Sequence, residues 1–296
     1  LVLAPEFSGV QRNHPDLSTI AGADFTDDPT AQGDGRPKYS CEIHGTPVAG
    51  VVAGKVNNGL GSTGTAPSSV VVPARAMKQW TPNDCDDWIA DAAWTVEALD
   101  WAQQQGIRIT VNSNGYELSN AIIQKYEDTF VAGMVHFASA GNNGADALWF
   151  PALLSWAGTV VSVGAVDRFG NRASFSNYSA GLSLTAPGLD IWTTDMTGNA
   201  GWIPGDYMLG WGTSFSAPLA AGVAALVLGV NPHFDAAQVQ AILIESALDL
   251  GAPGHDAQFG HGMVYAAAAV ALAANLTVFY DGFESGGWGA WSDVWP

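Results

Sequence analysis

Apolar and polar positions follow two different periods along this chain. Val70–Ala74, Ile107–Val111, Met134–Ser139 and Thr159–Ala165 are short, nearly continuous apolar runs rich in β-branched residues, and each reads as a buried strand. Between and after them the spacing becomes helical. Ile89, Ala92, Ala93, Val96 and Leu99 recur at helical intervals, Asp86 and Asp87 stand at the start of that run, and Gly106 ends it, so the pattern predicts a helix over Asp86–Gln105. Asn120–Ala132, Thr213–Gly229, Asp235–Ala247 and Gly262–Ala274 read as further helices. Strands alternating with helices imply an α/β fold in three layers, a mostly parallel central sheet with helices on both faces. In such sheets the chemistry gathers at the carboxyl ends of the strands.

The same pattern sets the organisation. The chain has 296 residues, enough for one large domain with its own core. We expect that domain to span 1–274. From Asn275 to Pro296 the sequence turns Gly- and Trp-rich and reads as a linker or the start of a following module. The Ala-rich stretch Met263–Leu276 is too short to span a bilayer and reads as a packed helix. Trp80, Trp88, Trp94 and Trp101 read as packing residues.

Charge narrows the function. With 28 acidic and 10 basic residues the net charge is −18, which argues against nucleic acid or an anionic membrane as partner. Two cysteines, Cys41 and Cys85, allow one intrachain bridge, and their polar surroundings favour a disulfide and an exported protein. The first residues lack a basic stretch ahead of an apolar run and are not an intact signal peptide. His255 and His261 lack the spacing of a helical zinc pair and are assigned to a loop and a packed turn. The acidic clusters at Asp24, Asp27 and Asp28 and at Asp84, Asp86 and Asp87 are expected to be solvated.

Three segments carry candidate chemistry. His44-Gly-Thr-Pro-Val-Ala-Gly-Val-Val-Ala-Gly54 places an imidazole at the start of a helix of small residues. Ala138-Ser-Ala-Gly-Asn-Asn-Gly144 is a strand running into a turn with two adjacent amides. Gly212-Thr-Ser-Phe-Ser-Ala-Pro-Leu-Ala-Ala-Gly222 begins a second small-residue helix with a serine, whose hydroxyl then lies among the unpaired N–H groups of the first turn. A histidine, a serine and a side-chain amide so placed supply a base, a nucleophile and an oxyanion donor.

In this order the segments resemble those of the subtilisin-like serine peptidases, the subtilases. The resemblance runs from about Gly9 to Ala274 and includes His14-Pro-Asp-Leu17, Asn57-Asn-Gly-Leu-Gly61 ahead of Ala66-Pro67, Ala186-Pro-Gly188 and Phe259-Gly-His-Gly-Met-Val264. It implies a monomeric, secreted serine endopeptidase acting on peptide or protein substrates through an acyl-enzyme. By position, His44 is the general base, Ser214 the nucleophile, and Asn142 with the Ser214 N–H the oxyanion donors. An extended substrate lies beside Ser113, Asn114 and Gly115, and Ser139, Ala140 and Gly141 line the primary specificity pocket. Where the family has leucine, this chain has Asn114. The resemblance also implies a structural calcium ion held by Asp16, Asn58 and the carbonyls of Val56, Leu60 and Ser62, oxygen ligands of the kind calcium takes.

One position departs from the family. Its catalytic Asp stands two residues before the glycine matched by Gly9, and here that place is Phe7. Phenylalanine cannot accept the imidazole N–H, and Glu6, one residue off, points to the other face of a strand. Glu6-Phe7 is also the dipeptide that a common cloning site encodes, so residues up to about Phe7 are expected to be foreign or truncated, with the N-terminal arm missing. The alternative is a peptide-binding pseudo-peptidase with little turnover. An α/β-hydrolase is excluded, because Gly212-Thr-Ser-Phe-Ser216 lacks the second glycine of that fold's nucleophile turn.

Overall fold

Along the strands Val135–Ser139 and Val160–Val166, alternate residues enter two different cores, as the period of 2 in a strand requires. Val135, Phe137, Val161 and Val163 join the larger cluster, while Ala138 and Val160 join a smaller one. The computed structural model describes residues 4–5, 8–28, 33–79 and 88–280. In chain order the strands are β1 (Ala4–Pro5), β2 (Ala23–Asp24), β3 (Ala74–Arg75), β4 (Lys78–Gln79), β5 (Trp88–Ile89), β6 (Ile109–Asn112), β7 (Val135–Ser139), β8 (Val160–Val166), β9 (Leu184–Pro187), β10 (Ile191–Thr194) and β11 (Tyr207–Gly210). The helices are α1 (Gly45–Ala53), α2 (Ala92–Gln104), α3 (Asn120–Val131), α4 (Thr213–Val230), α5 (Ala236–Glu245) and α6 (Ala266–Tyr280).

The central sheet has the order β1-β6-β7-β8-β9, and each neighbouring pair is parallel. Helices α2 and α3 supply Leu99, Ile122 and Tyr126 to the smaller core. On the other side α1, α4, α5 and α6 build the larger core, with Val48, Val52, Ala220, Val223, Val227, Val239, Ile242 and Ala273 all buried. This is the expected α/β architecture. Among the described residues α4 alone is long and apolar enough to cross a membrane, with a mean hydropathy of 1.7, yet 67% of it is buried in this core. Its glycines and alanines let the sheet and α1 approach closely.

The start of α2 and the end of α6 differ from the sequence expectation. Helix α2 starts at Ala92, because Asp91 is extended and its carboxylate caps the Ala93 N–H at 2.8 Å. Trp88–Ile89 instead pairs antiparallel with β4. Helix α6 runs on to Tyr280, so Asn275–Tyr280 is helical rather than linker; the Thr277 hydroxyl bonds back to the Ala273 carbonyl at 2.8 Å. The expectations for Trp80, Asp84, Asp86, Asp87 and 281–296 lie outside the described residues. Nor is the first acidic cluster merely solvated. Asp24 and Glu42 both bind the fully buried Arg75, Asp28 pairs with Lys38, and Asp27 with Lys78. Arg75 thereby ties the segment just before His44 to β2 and β3. Cys41 in that segment is disulfide-bonded, and the sequence holds one other cysteine, Cys85, which lies outside the described residues.

Candidate active site

Two helix N-termini meet at the carboxyl end of the sheet. His44 is the residue before α1, and the Gly45 N–H of that first turn bonds to the Ser8 hydroxyl at 3.1 Å. Ser214 is the second residue of α4. The His44 ring lies edge-on to Phe215, the residue after Ser214, with centroids 6.2 Å apart. Gly212 precedes α4 at φ 128, ψ 159, a conformation open to glycine alone, and this sharp entry is what lets the chain turn from β11 into the helix.

Ser214 and Ser113 hold each other. The Ser214 hydroxyl donates to the Ser113 carbonyl at 3.1 Å, and the Ser113 hydroxyl donates to the Ser214 carbonyl at 2.9 Å. The second bond has a cause inside the helix. The Ser214 carbonyl expects the N–H four residues on, and that residue is Pro218, which has none. Ser113, just beyond β6, fills the vacancy from the sheet.

Asn142 is oriented by the same helix start. Its Oδ1 accepts from both the Thr213 N–H and the Thr213 hydroxyl, each at 2.9 Å. With the oxygen so engaged, the Nδ2 donor is left on the opposite side of the amide. The Ser214 N–H belongs to the first turn of α4, where the helix offers no acceptor of its own. A buried asparagine the sequence reading missed, Asn177, shapes this turn: its Oδ1 takes the N–H groups of Asn143 and Ala145 at 2.9 and 3.1 Å, and its Nδ2 gives to Ala140 O at 3.3 Å. Thr213 was missed likewise. Both lie in ordinary turn and cap sequences, and nothing in their spacing marks them.

The remaining expected residues distribute as follows. Ser113, Asn114 and Gly115 follow β6, Ser139 ends β7 with Ala140 and Gly141 just beyond it, and the two segments flank the start of α4. The Asn114 carbonyl accepts the Asn112 side-chain amide at 2.6 Å, and its own amide nitrogen contacts the Met77 sulfur. A cleft of about 710 Å³ has His44, Ser8, Met77, Asn114 and Trp202 among its walls. Trp202 was not foreseen. It is 54% exposed and tilted over His44 at 6.5 Å. Its loop is held by the buried Asp195, whose carboxylate takes the N–H groups of Met196 and Ile203 at 2.8 and 3.2 Å. Phe7 and Glu6 lie outside the described residues.

The expected calcium ligands form a separate group on the 56–62 loop. Asp16 is fully buried. Its Oδ1 accepts the Asn58 amide at 2.5 Å, and its Oδ2 has no hydrogen-bond partner. The Asn58 oxygen accepts the Leu60 N–H at 3.0 Å. Tyr207 packs over Gly61, and burial, then the Asp16 charge and the approach of that carboxylate to the phenol hydroxyl, push its pKa up to about 12. An orphaned, buried carboxylate oxygen fits a cation. The Asn58 amide presents its nitrogen to Asp16, and turning it over exchanges nitrogen for oxygen within the same volume.

The profile of the subtilase family matches residues 8–262. Alkaline elastase YaB of Bacillus sp. (strain YaB) is 34% identical over 259 residues, which cover 87% of this chain and 61% of that protein. Subtilisin BL of Lederbergia lenta is 33% identical over 258 residues, 86% of each chain. Among solved structures, a protease from Pseudoalteromonas arctica PAMC 21717 superposes with a TM-score of 0.75 at 26% identity, covering 92% of this chain and 88% of that one.

Proposed function

The chain belongs to the subtilase family, and from that premise we propose that it is a serine endopeptidase hydrolysing peptide bonds through an acyl-enzyme. The observation that supports this reading is the meeting of the α1 and α4 N-termini, which brings His44 beside Phe215 and aims the Asn142 amide at the start of α4. In the proposed mechanism the Ser214 hydroxyl swings from the Ser113 carbonyl, gives its proton to His44 and attacks the substrate carbonyl. The Ser113 carbonyl, released, can accept an N–H from the extended substrate. Asn142 Nδ2 and the Ser214 N–H stabilise the oxyanion as the tetrahedral intermediate forms. His44 then passes its proton to the leaving amine, and water, activated by the same imidazole, frees the acyl group.

Phe7 favours a second reading alongside the first. A phenyl ring is not a carboxylate and brings no negative charge to stabilise the imidazolium, so in this reading the chain is a subtilase whose turnover lies on the order of 10⁴ below a complete triad. A fluorophosphonate tests the peptidase reading. Covalent labelling at Ser214, lost in Ser214→Ala, supports it; a native chain that binds peptides but stays unlabelled after prolonged exposure is a pseudo-peptidase.

Two further proposals follow. Secretion accords with the disulfide at Cys41 and the acidic composition. A calcium ion is proposed at Asp16, Asn58 and the carbonyls of Val56, Leu60 and Ser62, supported by the orphaned Asp16 oxygen.

A further inference from the structure

We propose that Trp149 decides which substrate side chain is accepted next to the scissile bond, and restricts that position to glycine or alanine. The inference rests on Ser214 being the nucleophile, as proposed above.

Strands β6 and β7 pair up to Asn112↔Ala138, and beyond that point their chains part. Ser113–Gly115 continues one side of the opening and Ser139–Gly141 the other. The mouth lies beside Ser214, because Ser113 O holds its hydroxyl at 3.1 Å and the Gly141 N–H bonds to the Thr213 hydroxyl at 3.2 Å. A substrate carbonyl under attack by Ser214 has its own α-carbon one bond away. The side chain on that carbon therefore enters this slot.

One indole faces both walls of the slot. A Cβ placed on Gly115 would lie 3.4 Å from Trp149 Cε3, and a Cβ placed on Gly141, whose φ is 111, would lie 2.8 Å from Trp149 Cδ2 and Cε2. Both walls thus lack a side chain where the indole stands, and at Gly141 any side chain would collide with it. The tryptophan is also fastened to the walls. Its N–H bonds to the Ala140 carbonyl at 3.1 Å, its Nε1 donates to Asn143 Oδ1 at 2.9 Å, and the next carbonyl, Phe150 O, accepts the Tyr116 N–H at 3.0 Å. Swinging the indole out breaks the Nε1 bond. A hydrogen or a methyl group fits above the ring, whereas a long aliphatic or aromatic side chain overpacks the slot. A cavity of about 670 Å³ runs along the indole and Gly115, walled also by Met77, Trp88, Tyr116 and Phe150. Removing the indole widens the slot into it.

The test uses two peptidyl diphenyl phosphonates that differ only in the residue carrying phosphorus, alanine or phenylalanine. Ser214 Oγ forms the new bond to phosphorus and one phenol leaves, so intact mass reads the rate. The native chain is expected to react with the alanine probe about tenfold faster or more. Trp149→Gly is expected to reverse that order, and Trp149→Val to narrow it, with circular dichroism checking that each variant is folded. A native chain that prefers the phenylalanine probe overturns the proposal, and so does a ratio that neither folded variant moves. If both variants unfold, the native ratio alone decides. Absence of Ser214 labelling by either probe overturns the peptidase reading and this inference with it, whereas labelling with the wrong preference overturns this inference alone.

Discussion

Ser113 and Ser214, 101 residues apart in sequence, exchange hydroxyl-to-carbonyl hydrogen bonds in both directions, and a proline within α4 is the reason one of them is needed. Ser113→Ala leaves the Ser214 carbonyl buried without a donor, a loss of about 1–3 kcal/mol. In a Pro218→Ala background the helix regains its own N–H for that carbonyl, so the same Ser113→Ala change is expected to cost less. A double-mutant cycle of urea unfolding measures the difference. Equal costs in both backgrounds refute the link.

Asn142→Ala removes the side-chain donor and is expected to lower kcat by about 10²–10³ with KM nearly unchanged, since the bond forms only as the oxyanion develops. Thr213→Val takes away one of the two donors that orient the amide and leaves the other. Its expected effect is smaller and of the same kind. Steady-state kinetics on a peptide anilide separate kcat from KM in both.

Phe7→Asp places a carboxylate at the position where the family carries its catalytic Asp. Turnover is expected to rise by three to four orders of magnitude, roughly the range lost when the acid is removed from a working triad. Burst kinetics of acyl-enzyme formation measure it, and an unchanged rate removes the claim that Phe7 limits this chain.

His136 is fully buried between the Thr110 and Thr129 hydroxyls, at 2.6 and 3.0 Å, and burial lowers its pKa from 6.5 to about 3. The folded protein keeps it neutral while the unfolded chain protonates near 6.5. Its contribution to stability is therefore complete above that pH and declines as pH falls towards 3, by about 1.4 kcal/mol per pH unit. His136→Gln is expected to flatten the stability–pH curve in this window, whatever it does at pH 8. Denaturant titrations at pH 8, 6 and 5 give both slopes.

If a calcium ion satisfies the orphaned Asp16 oxygen, a chelator lowers the thermal midpoint and excess calcium restores it. Asp16→Asn abolishes that response. A midpoint insensitive to chelator and to calcium rejects the site.

His44, Ser214 and Asn142 were legible because each stands in a run of small residues at a strand or helix end, where sequence neighbours alone identify the setting. The parallel sheet was legible for a similar reason, since its strands are nearly uniform apolar runs. What stayed hidden is made through space. Nothing near Trp149 in sequence says that Gly115 and Gly141 will face it, and nothing near Asp195 says that its loop will lay Trp202 over His44. The start of α2 was misplaced because several aspartates precede the helix, and only the extended backbone at Asp91 selects among them. The burial of Arg75 between Asp24 and Glu42 depends on residues distant in the chain.

Helix α4 carries Ser214, the proposed nucleophile, in its first turn and buries most of the rest of its length in the larger core. The warhead is thus bolted to the keel. With Ser214 as nucleophile, heat is expected to end activity and melt the core in one transition, with the amides of that helix the last to exchange with solvent.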